Sequence, residues 1–347
     1  MTDSVLPRIA LTMGDVAGIG PELVARAAIH DRVTAVSRPV VVGHPEVLRK
    51  GLELIGSARP VAIIEQLDVA SAAPGEAVLC WNPSPVDVTG VDAGTVNAAA
   101  GQAAYDYLVA AAEAALAGTL DAIVTAPLNK YSLRQGGCPL PGHTEILADV
   151  CGRSEVAMML YAGREGRIAA PHGLGVAHVT LHTSIASVPG LLTTARIAET
   201  IRLVHDFMRR MGCTAPRVGV CALNPHAGEQ GLFGDEEARI IAPAVEAARR
   251  DGIDASDPIP ADALMRRAVD GEFDGVAAIY HDQGHIALKL VAFETAVNVT
   301  LGLPIVRTSP SHGTAFDIAW QGQAKATGML TAIEAAAQLA ATRDESA

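Results

Sequence analysis

The chain has 347 residues; half are hydrophobic, 3% are aromatic, and the formal net charge is −12. A chain of this length can form two domains around a large aliphatic core. The negative charge argues against a nucleic-acid-binding protein, and the apolar runs are shorter than the ~20 residues of a membrane span. The five cysteines lack CxxC spacing and the N-terminus lacks the pattern of a signal peptide, so a reducing, cytoplasmic location is expected.

Short apolar segments that end in polar residues alternate along the chain with longer amphipathic segments. Strands that run into loops are predicted at 8–15, 38–45, 121–130, 217–229 and 275–284, and a strand pair at 155–163 and 175–183. Helices are predicted at 20–30, 94–117, 195–212, 236–252 and 328–343. This alternation predicts an α/β fold with a largely parallel core sheet. Because ligands of such sheets bind at the carboxyl ends of the strands, the polar loops are the expected place for chemistry.

Three of these strand-end loops each carry a histidine. His182 lies in VTLHTS, His226 in LNPHAGE and His281 in IYHDQG. A single strand-end histidine is usually structural, but imidazoles from three such loops can bind Zn²⁺ and leave a coordination position open for substrate. His281 and His285 also have the i, i+4 spacing of a helical zinc pair, whereas Gly284 between them favours a loop. The residues alone leave open which histidine of this pair binds.

Two further segments carry groups that suit an anion. PGHTE presents His143 and Thr144 at a predicted helix start, where backbone N–H groups bind anions, although simple N-capping would also explain Thr144. Arg307 follows the strand-like TLGLPIV and can grip a phosphate or carboxylate with two nitrogens; a surface salt bridge is the alternative. GDVAGIGPE (14–22) matches neither GxGxxG nor GK[ST], so it is interpreted as a tight strand-to-helix turn.

Several long motifs resemble those of the 4-hydroxythreonine-4-phosphate dehydrogenase family of vitamin B6 synthesis. They are LTMGDVAGIGPE, TAPLNK, PGHTE, LNPHAGE, YHDQGHIALK and NVTLGLPIVRTSPSHGTAFDIA, and the resemblance covers about residues 8–343. It implies a metal-dependent and NAD-dependent dehydrogenase that forms a homodimer with its active site at the dimer interface. It also implies a two-lobed α/β/α fold like that of isocitrate and isopropylmalate dehydrogenases. The cofactor-side lobe would comprise residues 1–128 and 305–347, and the metal, substrate and dimerisation lobe residues 129–304.

The resemblance also implies roles for particular residues. The family's metal ligands correspond to His182, His226 and His281. Its substrate-binding residues correspond to His143, Thr144, Lys289, Asn298 and Arg307. HGTAFDIA is similar to the loop that binds the adenosine of NAD in the related dehydrogenases, which explains the missing GxGxxG motif. The cofactor-binding residues would be His312, Gly313, Thr314, Ala315 and Asp317. Zinc is the first choice of metal, with Mg, Mn or Co as alternatives, and NADP is the alternative to NAD.

The expected reaction is oxidation of the secondary alcohol of a 4-phosphorylated hydroxy acid, followed by decarboxylation of the β-keto acid. Asp262 and Asp282 are the candidate general bases. Because biosynthetic members carry an apolar residue in place of His285, this histidine favours the branch of 4-phospho-threonate and 4-phospho-erythronate dehydrogenases. A cis-dihydrodiol carboxylate dehydrogenase is a further alternative, which Asn298 and Arg307 disfavour. Outside enzymes, the alternative is a metal-dependent sugar-phosphate-binding protein on the same scaffold.

Overall fold

A computed structural model describes residues 6–67 and 76–342 of the chain, which folds as two units. The first unit comprises Met1–Val156 and Leu303–Ala347, and the second comprises Ala157–Gly302. Residues 129–156, which the sequence places in the metal and substrate lobe, therefore lie in the first unit. The close packing of this segment is visible at Gly101, where an added Cβ would lie 1.9 Å from the carbonyl oxygen of Ser132.

Within its described residues, the first unit contains six strands. They are β1 Arg8–Thr12, β2 Arg38–Val42, β3 Val61–Ile64, β4 Val78–Trp81, β5 Ala122–Thr125 and β12 Arg307–Pro310. Their spatial order is β3-β4-β2-β1-β5-β12, and all neighbouring strands pair in parallel. The central strands β1 and β5 are almost entirely buried and apolar, as expected for parallel strands that helices cover on both faces.

The helices of the first unit form two groups. They are α1 Gly20–Ala28, α2 Asp31–Thr34, α3 Pro45–Leu54, α4 Ala98–Leu116, α5 Lys130–Gln135, α6 His143–Val150 and α12 Thr327–Ala341. Helix α1 packs against α3 and α12, whereas α5 and α6 pack against α4. The chain moves from β1 to β2 through α1 and from β4 to β5 through α4, in opposite directions along the sheet. Right-handed crossovers therefore put α1 and α4 on opposite faces and leave a crevice at the carboxyl end of β1.

The second unit contains a mixed sheet. Its strands are β6 Ala157–Ala162, β7 Leu174–His178, β8 Arg217–Cys221, β9 Asp254–Ile259, β10 Gly275–Ala278 and β11 Val297–Leu301. Their order is β11-β6-β7-β10-β8-β9. Strand β6 is antiparallel to both of its neighbours, β11 and β7, which confirms the predicted pair β6 and β7, and the successive strands β7, β10, β8 and β9 pair in parallel. The predicted α/β class with mostly parallel strands is therefore confirmed.

The helices of the second unit include one that the sequence misassigned. They are α7 Val188–Leu191, α8 Thr194–Arg210, α9 Ala242–Arg250, α10 Ala261–Val269 and α11 His281–Ala292. The prediction of a loop at YHDQGH is wrong, because α11 begins at His281. An added Cβ at Gly284 would lie 2.5 Å from Nε2 of His178. This glycine therefore permits the close approach of a buried side chain and does not interrupt the helix.

The segment between Asn298 and Arg307 also differs from expectation. Asn298 lies within β11 and Arg307 begins β12, so TLGLPIV does not form a single strand. Strand β11 ends just before Gly302, whose φ of 86° is accessible mainly to glycine. Among the described residues, no helix combines the length and apolar character needed to cross a membrane.

Candidate active site

Each predicted metal ligand follows the carboxyl end of one of three neighbouring parallel strands of the second unit. His182 follows β7, His281 follows β10 and His226 follows β8, and β10 lies between the other two strands. The ring centroids of His182 and His281 are 6.0 Å apart. Two imidazoles that share one tetrahedral ion through ~2.1 Å Zn–N bonds have centroids about 5 Å apart, so an approach of about 1 Å would bring this pair to that spacing. The pair His182 and His281 is therefore placed suitably for a shared ion.

The ring of His281 is oriented by its neighbour in the chain. His281 Nδ1 lies 2.7 Å from Oδ1 of Asp282. Because an ionised carboxylate only accepts hydrogen bonds, Nδ1 carries the hydrogen and Nε2 is left to bind a metal. Asp282, one of the two candidate bases, is thus already engaged by His281. Asp262, the other candidate, is exposed in the first turn of α10.

Two more histidines adjoin His281. The rings of His281 and His285 are stacked with centroids 3.7 Å apart, so their i, i+4 spacing is that of one helix face. His285 Nδ1 lies 3.1 Å from Nε2 of His178, whose Nδ1 lies 3.2 Å from the carbonyl oxygen of Met158. A carbonyl only accepts, so His178 donates through Nδ1 and accepts from His285 through Nε2. Burial lowers the pKa of His178 to about 4 and that of His285 to about 3, so both are neutral at pH 7.

His226 lies in a turn with left-handed backbone. From His226 to Gln230, five successive residues have φ between 44° and 80°, and four of them are not glycine. Residues with a Cβ avoid this conformation by roughly 1–2 kcal/mol each. Such strain persists only where the surrounding structure enforces it, and it is concentrated at functional sites. The imidazole of His226 is exposed and so is accessible to a ligand.

The predicted metal ligands are brought together only in part. Across residues 6–67 and 76–342, no three His, Cys, Asp or Glu side chains are grouped closely enough to hold a metal ion. His182 and His281 are adjacent, and the structure does not group His226 with them. The donor set itself fits a divalent ion, because three imidazoles on neighbouring strand ends are the ligands that Zn²⁺ accepts in open catalytic sites.

A buried arginine lies in the first unit. Arg307 is 3% exposed, and its Nη2 donates a hydrogen bond of 2.7 Å to Oγ1 of Thr125. Burial lowers the pKa of Arg307 to about 10, against the opposing effect of Glu145, so the guanidinium is charged at pH 7. A desolvated cation is costly to bury and is well suited to bind a phosphate or carboxylate. The surface salt bridge considered from the sequence is therefore excluded for this residue.

The start of helix α6 adjoins Arg307. His143 is the first residue of α6 and donates a hydrogen bond to the carbonyl of Ala126. Burial and the nearby Arg307 hold the pKa of His143 well below 6.5, so its ring is neutral at pH 7. Thr144 follows at the second helical position, and the N-cap residue Gly142 supplies no side-chain cap. A helix N-terminus beside a buried cation is a favourable site for an anion.

The other two predicted substrate residues lie in the second unit. Lys289 lies on α11 four residues after His285 and so shares a helix face with that residue. Asn298 pairs with Leu160 across β11 and β6, and its Oδ1 is buried without a hydrogen-bond donor among the described residues. A buried amide oxygen without a donor is unfavourable, and a bound ligand can supply the missing donor.

The predicted cofactor loop packs on the turn that follows β1. The carbonyl of Thr314 accepts a 3.0 Å hydrogen bond from the backbone N–H of Ile19, and the indole of Trp320 donates one of 2.9 Å to the carbonyl of Val16. Ala315 has φ of 42°, so this loop is strained as well. GDVAGIGPE thus forms a tight turn against which the loop packs. The exposed members of the predicted set are His312, Gly313 and Asp317.

Three residues that contact the predicted site residues or the His226 turn were not predicted from the sequence. His178 stands in the same motif as His182, and a histidine inside the apolar strand LGVAH is a signal that could have been noticed. Thr125 is the first residue of the TAPLNK motif, but the motif carries no signal of its contact with Arg307. Glu237 lies 11 residues after His226, and only the folded chain shows that its carboxylate contacts that turn.

Fold and geometry together define a class of protein. Largely parallel α/β sheets with imidazoles after the carboxyl ends of neighbouring strands are typical of enzymes that bind a small ligand at that edge, and the buried guanidinium of the first unit suits an anionic one.

Comparison with known proteins then gives the family. A family model described as pyridoxal phosphate biosynthetic protein PdxA matches residues 35–336. The chain belongs to this family, and the resemblance derived from its motifs is confirmed.

Named relatives of the chain are dehydrogenases. It is 45% identical over 334 residues to the 4-hydroxythreonine-4-phosphate dehydrogenase of Geobacter metallireducens, with 96% of each chain covered. It is 43% identical over 340 residues to the D-threonate 4-phosphate dehydrogenase of Cupriavidus necator, with 97% of this chain and 98% of the relative covered. The crystal structure of the 4-hydroxythreonine-4-phosphate dehydrogenase of Klebsiella pneumoniae matches with a TM-score of 0.83 at 43% identity, covering 96% of this chain and 99% of that one. The prediction of a dehydrogenase is confirmed.

Proposed function

We propose that the chain oxidises the secondary alcohol of a 4-phosphorylated hydroxy acid, with NAD as hydride acceptor. The observation that carries this proposal is the buried, charged Arg307 beside the N-terminus of α6, in a chain whose relatives are named for 4-phosphate substrates. 4-Hydroxythreonine 4-phosphate and D-threonate 4-phosphate are the two candidate substrates. They differ in an ammonium or a hydroxyl group beside the carboxylate. His285, stacked on His281, favours the D-threonate 4-phosphate alternative because this histidine resembles that branch of the family.

Five side chains of the chain bind the substrate in this proposal. Arg307, His143 and Thr144 hold the phosphate, because a guanidinium and a helix N-terminus both favour negative charge. Lys289 and Asn298 orient the remainder of the substrate. The buried Oδ1 of Asn298 would accept a hydrogen bond from a substrate hydroxyl, which removes an unfavourable group from the ligand-free protein.

The proposed reaction has two steps. The alcohol oxygen loses its proton to a base and the adjacent carbon transfers hydride to NAD⁺, which gives NADH and a β-keto acid. The bond between the α-carbon and the carboxylate carbon then breaks, CO₂ leaves, and the resulting enolate takes up a proton. Asp262 and Asp282 stay the candidate bases, although the contact of Asp282 with His281 gives it a second role.

A divalent ion, zinc in the first instance, is proposed to be held by His182, His226 and His281. When bound, it supplies electrostatic stabilisation of the negative charge that develops on the substrate oxygen. Asp282 fixes the ring of His281, and the turn from Pro225 to Gly231 presents His226.

The cofactor is proposed to contact the loop from His312 to Asp317. A cleft of about 200 Å³ lies in the same unit, lined by Val16, Lys50, Asp92 and Trp320 among others. Trp320 anchors the loop to the turn after β1 and also lines this cleft, which supports a role for the region in binding the dinucleotide. Relative rates with NAD and NADP would decide between the two nucleotides.

A homodimer is proposed on the basis of an exposed apolar stripe on α11. Ile286, Leu290 and Phe293 are 57%, 80% and 71% exposed and recur at the spacing of one helix face. Leu290→Glu is expected to shift the protein from dimer to monomer in light scattering. An unchanged mass would refute the assignment of this face.

The whole scheme is tested by kinetics and metal analysis of one variant. Wild-type protein should form NADH with at least one of the two candidate substrates, and His226→Ala should lose both activity and bound metal. His205→Ala is the control, because His205 lies on α8 and pairs with Asp206. Full activity of a metal-free His226→Ala protein would refute the scheme.

A further inference from the structure

The left-handed turn that carries His226 needs a structural cause. Four of five successive residues carry a side chain and yet adopt φ values that L-residues avoid. Local sequence does not enforce this, since only Gly228 within the five-residue run is glycine. Strain of this kind persists only where contacts from outside the segment over-determine it. The contacts made by Glu237 meet this requirement.

Glu237 binds the entrance of the turn. Its side chain is buried, and its Oε1 accepts hydrogen bonds from the backbone N–H groups of Leu223 at 2.9 Å and Asn224 at 2.8 Å. Its Oε2 accepts a third, of 3.0 Å, from Nδ2 of Asn224. Backbone N–H groups held by an ionised carboxylate make hydrogen bonds about twice as strong as neutral ones. These bonds therefore fix the backbone orientation of Leu223 and Asn224, just before Pro225.

Glu237 also contacts the interior of the turn. A Cβ added to Gly228 would lie 2.8 Å from Oε2 of Glu237 and 2.8 Å from the carbonyl oxygen of Gly234. The same carboxylate thus holds the entrance and lies against the midpoint of the left-handed segment. Glu237 begins a short π-helical stretch, Glu237–Ile241, a rare geometry that is frequent at functional sites. This stretch leads directly into α9, a rigid support.

We propose that Glu237 is a positioning residue that enforces the left-handed turn and so sets the direction of the His226 imidazole. Its carboxylate has no contact with the metal or substrate in this role; it acts through the backbone of residues 223–228. The metal-binding consequence rests on the proposed function, whereas the effect on the turn does not.

The test uses Glu237→Gln in the full-length protein. The amide keeps the size of the side chain but replaces one acceptor oxygen with a donor, which then faces the N–H donors of Asn224. Two quantities are measured: the rate at which a glutamate-specific protease cuts the metal-free protein after Glu229, and the affinity for Co²⁺ from its visible absorption. We expect faster cleavage, and a Co²⁺ dissociation constant raised about 10- to 100-fold, as for other residues that orient a metal ligand.

A rescue variant separates positioning from general damage. Ala227 has φ of 53°, so Ala227→Gly lowers the cost of the left-handed conformation without restoring any contact. In the Glu237→Gln background this change should recover about three- to fivefold of the lost Co²⁺ affinity and slow the cleavage. Asp235→Asn is the charge-matched control, since Asp235 is exposed, pairs with Arg239 and should leave both quantities unchanged.

The outcomes distinguish this inference from the proposed function. If wild-type protein binds no Co²⁺ but Glu237→Gln is cut faster, the metal proposal fails and the role of Glu237 in the turn stands. If Glu237→Gln matches wild type in cleavage and in Co²⁺ affinity, the inference is overturned. Should Glu237→Gln fail to fold, Asn224→Ala, which removes one donor from the carboxylate, is judged by the same two criteria.

Discussion

Replacing Arg307 with methionine is expected to stabilise the ligand-free protein while removing its ability to bind phosphorylated substrates. Burial lowers the pKa of the guanidinium to about 10, which corresponds to ~3 kcal/mol of unfavourable free energy for the charged group in the folded state. Loss of the hydrogen bond to Thr125 and of the other interactions of the guanidinium opposes this gain by roughly 1.5–3 kcal/mol. The free energy of unfolding should therefore rise by up to ~2 kcal/mol. The kcat/KM should fall on the order of 10²–10³-fold, because a phosphate loses its buried charged partner.

Urea unfolding at pH 7, with and without inorganic phosphate, measures both effects. Phosphate should stabilise wild type and leave Arg307→Met unaffected. Arg266→Met is the control, because Arg266 is 78% exposed and its change should alter stability by less than ~0.5 kcal/mol. The reasoning is refuted if Arg307→Met is less stable than wild type by more than ~1 kcal/mol, or if phosphate stabilises it as strongly as wild type.

Two further predictions concern the second unit. As the pH falls from 6.5 to 4, His178 alone should lower the stability of the metal-free protein by up to ~3 kcal/mol, because the unfolded chain binds a proton at this residue and the folded chain, with a pKa of about 4, does not. Thermal melts should show a weaker pH dependence for His178→Phe, and an equal dependence in both proteins would contradict the assignment. Gly284→Ala should cost ~1–3 kcal/mol, since its Cβ would lie 2.5 Å from Nε2 of His178. Gly190→Ala, whose Cβ would meet open space, should leave the stability nearly unchanged. Equal thermal unfolding midpoints for the two variants would contradict the predicted cost at Gly284.

Much of the fold was predictable because its central strands have unambiguous patterns. RIALT, AIVT and GVAA are short, apolar and followed by polar loops, and each forms a buried parallel strand. The helix at 281–292 was not predictable in the same way. Glycine is a poor helix former. At Gly284 it is required because His178, more than 100 residues away in sequence, leaves no room for a Cβ. Propensity therefore favoured a loop where tertiary packing produced a helix.

The site was predictable to the extent that it depends on strand order. Loops after parallel strands lie at one edge of the sheet, so the α/β pattern predicts that His182 and His281 share an edge; their adjacency depends also on the order of the strands, which the pattern does not fix. The backbone conformation of the His226 turn did not follow, because it is imposed by Glu237 from a later segment. The burial of Arg307 did not follow either, since a sequence cannot distinguish a desolvated arginine from one in a surface salt bridge.

Three of the residues assigned by resemblance occupy environments that destabilise the ligand-free fold. Arg307 is a desolvated cation, Asn298 buries an amide oxygen without a donor among the described residues, and His226 lies in a strained turn. A sequence selected for stability alone would replace each of them at little loss. The unfavourable terms of Arg307 and Asn298 would be relieved by different ligand groups: an anion for Arg307 and a hydroxyl or N–H donor for Asn298. The phosphorylated hydroxy acid proposed as substrate contains both groups, so these unfavourable terms of the ligand-free protein and the names of its relatives support the same proposal.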